Sequence, residues 1–304
     1  MDIFKDTITT KYIDENTIVL DIETTGVDRI NCFIQVVGLL SGSGENNFSQ
    51  ISITSIEDEP SLLRYIAKSI HKKSIITFNG INFDLPFIYA RMNFHGIDLP
   101  SIISHTDIYR FLIDNRFYTT LNEFSLQSLE QHLSIERFEN FEKEEDIAFY
   151  KEEKTQPNLL LHNKYDVINT EKALAFIEDI NNQKVFKLEL SEKTLSFTIS
   201  DIELNKDILK VYLQSENKDN LRFESLHHVF DWTGTKIQIF ARVQEGYLSK
   251  DVLGYVHMQS SLPLIKDQSP YYLREDILVI YHNRYLELEN IKELSKKIIK
   301  EFLK

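Results

Sequence analysis

The sequence is poor in cysteine, glycine and proline, and it contains no long apolar run. Its single cysteine, Cys32, excludes an internal disulfide and favours a reducing compartment. The 9 glycines, 6 prolines and 42% hydrophobic residues are typical of a folded globular chain rather than a disordered one. The chain lacks the roughly 20 consecutive apolar residues of a membrane-spanning helix, and it lacks the pattern of a signal peptide. We therefore expect a cytoplasmic protein with no membrane partner.

Basic residues are also scarce in this chain. The 304 residues include 34 Lys and Arg against 47 Asp and Glu, a net charge of −13. Residues 181–304 contain 18 residues of each sign, so the whole acidic excess, 29 against 16, lies in residues 1–180. Nonspecific affinity for duplex DNA comes from many Lys and Arg contacts to phosphates. The charge therefore argues against a protein that wraps duplex DNA, but it allows an enzyme that holds a strand end through metal ions.

The first 180 residues alternate between strand patterns and helix patterns. Short β-type runs that end in turns come first, and amphipathic helices lie between them and after them. This order predicts an α/β domain. The predicted strands are 17–26, 33–44, 47–55 and 74–80, and the predicted helices are 61–72, 83–92, 124–133 and 158–180.

The pattern changes after residue 181. Six short β-type runs, separated by polar turns, precede an amphipathic segment at 289–304. We interpret residues 184–304 as a smaller β-rich accessory domain with a C-terminal helix. Its aromatic residues and the lysines of its last helix fit contacts to a ligand, and they fit an ordinary core and helix surface as well. The role of this domain therefore stays open.

Two carboxylates stand at the end of the first predicted strand. Side chains two residues apart on a strand point to the same side, so Asp21 and Glu23 can share one site. Two neighbouring carboxylates favour a compensating cation, and their hard oxygen atoms suit Mg²⁺ or Mn²⁺. About two Asp-x-Glu pairs are expected by chance, and Asp201 and Glu203 form a second one. The turn at residues 24–26 distinguishes the first pair, because a substrate can approach the backbone there.

Further acids occur in two other settings. Asp84 follows a predicted strand and begins a helix, where an acid is favourable in any protein. His162 and Asp166 lie four residues apart in a predicted helix, so they share one face, and a histidine suits water activation near neutral pH. Alone, each feature has an ordinary explanation, a helix-capping acid or a surface ion pair. His282 begins a similar string that has no carboxylate at the matching place.

Taken in order and setting, these motifs resemble those of the DEDD exonuclease superfamily, and more closely those of YprB-type ribonuclease H-like proteins. The strings are D-I-E-T-T-G at 21–26, F-N-G-I-N-F-D-L-P at 78–86 and H-N-K-Y-D at 162–166, with additional likeness at 106–112 and 125–130. The resemblance covers about residues 15–178. It implies a ribonuclease H-like mixed sheet flanked by helices within residues 1–180, and it implies a nuclease.

The resemblance also implies a mechanism. Two Mg²⁺ or Mn²⁺ ions would promote release of nucleoside 5′-monophosphates from the 3′ end of single-stranded DNA or RNA. Their ligands would be four carboxylates, and His162 would be the general base. The carboxylates are those of Asp21, Glu23, Asp84 and Asp166. The histidine lies four residues before the last aspartate rather than the usual five, and Tyr165 has the wrong spacing to replace it.

The sequence leaves several supporting roles and two other functions open. Thr24, Thr25 and Asn79 are predicted to contact the terminal nucleotide, whereas Asp107 fits either a supporting role at the site or a purely structural one. The same site would also serve a structure-specific endonuclease. A noncatalytic nucleic-acid or protein scaffold is the other alternative, which the acidic charge favours and the complete set of carboxylates opposes. Neither DNA nor RNA is preferred, because that choice depends on contacts to the 2′-hydroxyl.

Overall fold

The computed structural model describes residues 1–42, 44–137, 157–190 and 193–303. The chain divides into two compact units, one formed by Met1–Asp114 with Leu121–Glu178 and the other by Asn115–Thr120 with Asp179–Lys304. The short segment Asn115–Thr120 therefore groups with the C-terminal unit, which the sequence pattern did not indicate. Each unit has its own sheet structure and is described by itself below.

A six-stranded mixed sheet forms the centre of the first unit. Its strands are β1 (Asp2–Asp6), β2 (Thr17–Thr24), β3 (Ile34–Ser41), β4 (Phe48–Ser52), β5 (Ser74–Thr77) and β6 (Ser104–Asp107). They lie in the order β1-β4-β3-β2-β5-β6, with antiparallel pairs from β1 to β2 and parallel pairs from β2 to β6. The predicted α/β fold, a mixed sheet flanked by helices, is confirmed.

Most helices of the first unit lie where the hydrophobic periodicity predicts them. Within the described residues they are α1 (Glu59–Ile70), α2 (Asp84–Phe94), α3 (Ile108–Asp114), α4 (Leu126–Leu133) and α5 (Pro157–Gln183). The sequence did not predict β1, β6 or α3. β6 reads Ser-His-Thr-Asp, so it has no hydrophobic pattern, and backbone pairing with β5 holds it in the sheet.

The two faces of β2 have different chemistry. Ile18, Leu20 and Ile22 are buried in one cluster with the apolar residues of α1 and α2. Complete burial of such side chains contributes roughly 1.5–3 kcal/mol each. Since side chains alternate along a strand, Asp21 and Glu23 point to the opposite face, which α5 covers. Hydrophobic packing on one side thus sets the direction of the carboxylates on the other.

A buried ion pair holds the segment between β2 and β3. Arg91 of α2 contacts Glu59 of α1 at 2.6 Å, and both side chains are shielded from water. Glu59 also accepts from the Ile34 backbone N–H at 3.1 Å, while Arg91 donates to the Ile30 carbonyl at 2.8 Å. Buried charges are tolerated when paired and hydrogen-bonded in this way. The chain that follows the β2 carboxylates is therefore fixed at Ile30 and at Ile34.

The second unit contains two antiparallel sheets and a terminal helix. Its elements are β7 (Val185–Glu189), β8 (Thr194–Asn205), β9 (Ile208–Glu224), β10 (His228–Arg242), β11 (Gln244–Ser249), β12 (Val252–Met258), β13 (Ile277–His282), β14 (Tyr285–Leu286) and α6 (Leu288–Phe302). One sheet has the order β10-β9-β8-β7 and the other β11-β12-β13-β14. The hairpin of β9 and β10 is longer than the predicted runs, because the polar stretch 217–224 continues the backbone pairing without an apolar pattern.

Helix α6 has one apolar face and one charged face. Ile291, Leu294 and Ile298 are buried at helical spacing. Lys296 pairs with Glu293 at 2.6 Å on the same helix, whereas Lys292, which pairs with Glu289, is buried. Within the described ranges, none of the helices combines the length and the apolar character that crossing a bilayer requires.

Candidate active site

Asp21 lies in a row of paired residues that crosses three strands. Asp21 of β2 pairs with Gly38 of β3, and Gly38 pairs with Gln50 of β4. Asn163 of α5 lies across this row. Its amide nitrogen donates to the Asp21 carboxylate at 2.8 Å and to the Asp21 carbonyl at 3.1 Å, and its amide oxygen accepts from Gln50 at 2.8 Å. Asn163 is fully buried, so its amide fixes the position of the Asp21 carboxylate.

Gly38 permits this close approach of α5 to the sheet. A Cβ atom at position 38 would lie 2.6 Å from the Asn163 Oδ1 atom and 2.7 Å from a methyl group of Val167. Protein interiors are close-packed, so a side chain there would displace the helix. The requirement for glycine arises from the contact between helix and strand, and it is invisible in the local sequence.

Asp84 lies at the start of α2 and is joined to β2 through the backbone. Its Oδ1 atom accepts from the Ile22 N–H at 3.0 Å, and only 3% of the residue is exposed. Burial raises the pKa of Asp84 to about 7; the hydrogen bond from Ile22 opposes this shift, while the charges of Asp107 and Asp166 add to it. A carboxylate that is this costly to ionise favours a nearby cation.

Asp107 holds the loop between β5 and α2. Its Oδ1 atom accepts from the Asn79 N–H at 3.0 Å and its Oδ2 atom from the Ile81 N–H at 2.8 Å. Asn79 is in the left-handed region with φ +64°, which asparagine tolerates. The Asn79 side chain accepts from Asn82 at 2.8 Å. These contacts give Asp107 a supporting position, one that orders the loop leading to Asp84.

The threonines after the first motif participate in their own turn. The Thr24 hydroxyl donates to the Gly26 carbonyl at 2.7 Å, and the Thr25 hydroxyl accepts from the Phe33 N–H at 3.1 Å. Both hydroxyls thus have partners within the protein. The predicted contacts of Thr24, Thr25 and Asn79 with a nucleotide stay predictions, and the backbone of this turn is the part that a substrate would approach.

Glu23, His162 and Asp166 form a compact group of potential metal ligands. One ligand atom from each lies within 4.8 Å of the other two. His162 Nε2 lies 3.3 Å from Asp166 Oδ2, as the spacing of four along α5 predicts. Both side chains are partly exposed, so solvent reaches the group. Two carboxylates with one imidazole fit a divalent cation such as Mg²⁺ or Mn²⁺.

The remaining carboxylates are electrostatically coupled to this group. Burial raises the pKa of Asp21 well above its usual value, and the charges of Asp166, Asp84 and Glu23 raise it further. The hydrogen bond from Asn163 acts in the opposite direction. The structure therefore brings the four predicted carboxylates together from three separate parts of the chain. Keeping them ionised together requires positive charge, which a bound cation supplies.

Arg137 is a candidate that the sequence did not reveal. Its guanidinium binds the buried Glu130 of α4, with Nε 3.0 Å from each carboxylate oxygen. A second nitrogen contacts Asp166, and a third lies 3.4 Å from His162 Nδ1. Arg137 belongs to no motif and follows α4 in a polar segment, so only the folded chain connects it with the site.

The two chance matches in the sequence lie in the second unit. Glu203 pairs with Lys210 at 3.1 Å on the exposed hairpin, and Asp201 is exposed on β8. His282 Nε2 contacts Glu287 at 2.6 Å. These pairs have ordinary structural partners, as expected of strings that recur by chance.

Comparisons with known proteins place the first unit in a family. A model described as the RNase_H superfamily matches residues 18–175. NrnC of Brucella melitensis bound to pGG matches in structure with TM-score 0.41 and 16% identity, over 59% of this chain and 79% of that one. The EXO domain of Aedes aegypti Nibbler matches with TM-score 0.38 and 13% identity, over 55% and 85%. No curated protein matches this chain.

The matched residues make up more than half of the chain. They begin in β2 and end within α5, so they include the parts of β2, α2 and α5 that supply Asp21, Glu23, Asp84, His162 and Asp166. On this match, the chain is a member of the RNase H superfamily.

Proposed function

We propose that this protein is a DEDD-type, YprB-like 3′→5′ exonuclease that hydrolyses single-stranded DNA or RNA and releases nucleoside 5′-monophosphates. The observation that carries the proposal is the convergence of four carboxylates and His162 around β2 of an RNase H-like sheet. Asp21 and Asp166 are 145 positions apart in the chain, yet the charge of Asp166 raises the pKa of Asp21. A cluster this costly to keep ionised is expected at a site that binds cations for a reaction.

The residues present fit two divalent ions, Mg²⁺ or Mn²⁺. Glu23 and Asp166 would hold one ion with the help of Asp21, and Asp21 and Asp84 would hold the other. When bound, such ions neutralise the charge that develops on the scissile phosphate. Asn163 keeps the Asp21 carboxylate oriented, because it donates to it from a buried position.

His162 is the group proposed to take the proton from the attacking water. Its side chain is partly exposed, so water can reach it, and it lies beside Asp166. Imidazole is the side chain best suited to accept a proton near neutral pH. Asp166 orients the ring and stabilises the imidazolium that forms, which are the two roles a carboxylate next to a catalytic histidine commonly has.

The loop ordered by Asp107 is the proposed contact to the strand end. Asp107 fixes the backbone N–H groups of Asn79 and Ile81, and the turn at residues 24–26 lies directly after the β2 carboxylates. Rigid backbone next to a reactive site can position a phosphate without many basic side chains. This arrangement agrees with the acidic charge of residues 1–180.

The test is hydrolysis by the double variant Asp21→Asn/Asp84→Asn in the presence of Mn²⁺. We expect no cleavage of 5′-end-labelled single strands, because each substitution removes a metal ligand and keeps the size of the side chain. Asp201→Asn is the matched control, since it removes one carboxylate of the other Asp-x-Glu pair. Wild-type activity of the double variant would refute the assignment of the site. Internal cuts by the wild-type protein would identify an endonuclease on the same residues.

A further inference from the structure

Arg137 is paired with a buried acid. Its Nε atom lies 3.0 Å from both oxygens of Glu130, and a terminal nitrogen lies 2.8 Å from one of them. Glu130 is 3% exposed and also accepts from Asn169 of α5 at 2.8 Å. Such a two-point contact orients the guanidinium and keeps it close to the site. The terminal nitrogens of Arg137 thereby lie against α5.

That edge contacts the two residues of α5 that the proposed reaction uses. One terminal nitrogen donates to Asp166 Oδ1, and the other lies 3.4 Å from His162 Nδ1. A guanidinium only donates, so Nδ1 must be the accepting nitrogen and the neutral ring carries its proton on Nε2. Nε2 faces Asp166 Oδ2 at 3.3 Å. In this arrangement the guanidinium of Arg137 lies against Nδ1 and Asp166 lies against Nε2, so both ring nitrogens have a partner.

A divalent cation on Asp166 would change this arrangement. The guanidinium and the metal ion are both positive and would share one carboxylate, and like charges at such short range repel. Glu130 prevents Arg137 from leaving the vicinity, so the two cations compete directly for Asp166. A shift of the guanidinium away from Asp166 also takes it away from His162.

We infer that Arg137 is a positioning residue that competes with the divalent cation for Asp166 and blocks His162 until that cation binds. The inference rests on the site of the proposed function and deepens it, because it makes the general base available only when the metal ligands are filled. It also assigns a role to Glu130 and Asn169, which tether the arginine.

The first test is the affinity of the full-length, EDTA-treated protein for Mn²⁺, measured by calorimetry without nucleic acid. Arg137→Gln is expected to bind Mn²⁺ about tenfold more tightly than the wild type, a difference of about 1.4 kcal/mol. Arg110→Gln is the matched control, because Arg110 is an exposed arginine of the same unit that pairs with Asp114. It removes the same charge away from the cluster and should leave the affinity unchanged.

A second variant separates the inference from a folding defect. Arg137→Gln leaves Glu130 buried without its cation, which can destabilise the unit. The double variant Glu130→Gln/Arg137→Gln removes both charges and keeps an oxygen that can accept from Asn169. We expect the same gain in Mn²⁺ affinity from this double variant, with a near-ultraviolet circular dichroism spectrum like that of the wild type.

The position of the proton on the His162 ring gives a readout that does not depend on Mn²⁺ affinity. Nitrogen-15 NMR of the imidazole ring should show the proton on Nε2 in the EDTA-treated wild type. Addition of Mg²⁺, or the double variant Glu130→Gln/Arg137→Gln without Mg²⁺, should change the Nδ1 shift, because both remove the contact from Arg137. A shift that responds to neither would overturn the inference.

The affinity results decide the remaining outcomes. Unchanged or weaker Mn²⁺ binding by the folded double variant would refute the inference that Arg137 competes with the cation for Asp166. A wild-type protein that binds no Mn²⁺ would refute it as well. Tighter binding by the variants, with no nuclease activity in any protein, would uphold the role of Arg137 and refute the proposed function. Failures of the two proposals are thus distinguishable.

Discussion

At the scale of residues, the site depends on a balance between carboxylate charge and the groups that offset it. Asp84 is buried and Asp21 half-buried, and the pKa values of both are raised, first by burial and then by neighbouring acids. Asn163 and the Ile22 N–H stabilise their ionised forms through hydrogen bonds. Arg137 contributes the opposite charge at Asp166. The site is therefore poised for cations before any substrate enters.

The raised pKa of Asp84 predicts a pH dependence of stability. In the unfolded chain this carboxyl titrates near 3.8, and in the folded protein near 7. Between these two pH values, Asp84 is protonated in the folded protein and ionised in the unfolded chain. The contribution of Asp84 to the free energy of unfolding therefore falls as pH rises through this range. Asp84→Asn should therefore raise the unfolding temperature of the EDTA-treated protein by several degrees more at pH 8 than at pH 5.

The comparison between the two proteins removes the effect of groups distant from Asp84. The pKa of His228 is lowered by burial to about 4, and this histidine contributes a pH dependence of the opposite sign, between about 4 and 6.5. That contribution is the same in the wild type and in Asp84→Asn. If Asp84→Asn changed the unfolding temperature equally at both pH values, Asp84 would be ionised in the folded protein without cost.

His162 carries a kinetic prediction. His162→Gln keeps a polar side chain of similar length beside Asp166 but removes the proton acceptor. The turnover of single strands should fall by roughly 10²–10⁴, the usual contribution of a general base, while the Mn²⁺ affinity measured by calorimetry should fall much less. A variant with near-wild-type turnover would assign the proton transfer to another group.

At the scale of elements, α5 and its contact with β3 decide where the catalytic groups lie. Asn163 and Asp166 reach Asp21 only because Gly38 lets the helix touch the sheet. The hydrophobic alternation of β2 predicts the direction of Asp21 and Glu23, and helical spacing predicts the pairing of His162 with Asp166. Neither pattern reports strand register or helix contact. For this reason Gly38, Gln50, Glu130 and Arg137 could not be predicted from the sequence.

Gly38→Ala tests this contact. The added methyl group would lie 2.6 Å from Asn163 and 2.7 Å from Val167, so α5 must shift by several tenths of an ångström. Because a small displacement of catalytic groups is costly, we expect at least about a tenfold loss of kcat, together with a lower unfolding temperature. Gly246→Ala is the control, since a Cβ atom there meets nothing within 4 Å. Equal activity of the two variants would contradict the proposed role of the contact.

At the scale of the whole molecule, the chain combines an acidic RNase H-like unit with a second, β-rich unit. Composition and periodicity predict both fold classes, because hydrophobic repeats reflect which residues each element buries. They do not predict that Asn115–Thr120 groups with the second unit, since that segment has no pattern of its own.

The charge distribution predicts a weak dependence of activity on salt. Residues 1–180 carry 29 acidic and 16 basic residues, so few phosphates are expected to be neutralised by Lys or Arg. With one or two such contacts, kcat/KM on a single strand should fall less than about tenfold between 50 and 200 mM KCl at saturating Mn²⁺. A fall of 10³-fold or more would indicate a basic binding track and would contradict this interpretation.

The central claim, a metal-dependent site that digests strands from the 3′ end, is tested most directly by a time course of cleavage. Single-stranded DNA and RNA carrying a 5′ label are incubated with Mn²⁺ and either wild-type protein, Asp21→Asn or Asp201→Asn. The account predicts a ladder that shortens from the 3′ end with wild type and Asp201→Asn, and intact strands with Asp21→Asn or with EDTA. Intact strands in every reaction, or a ladder that persists with Asp21→Asn, would contradict it.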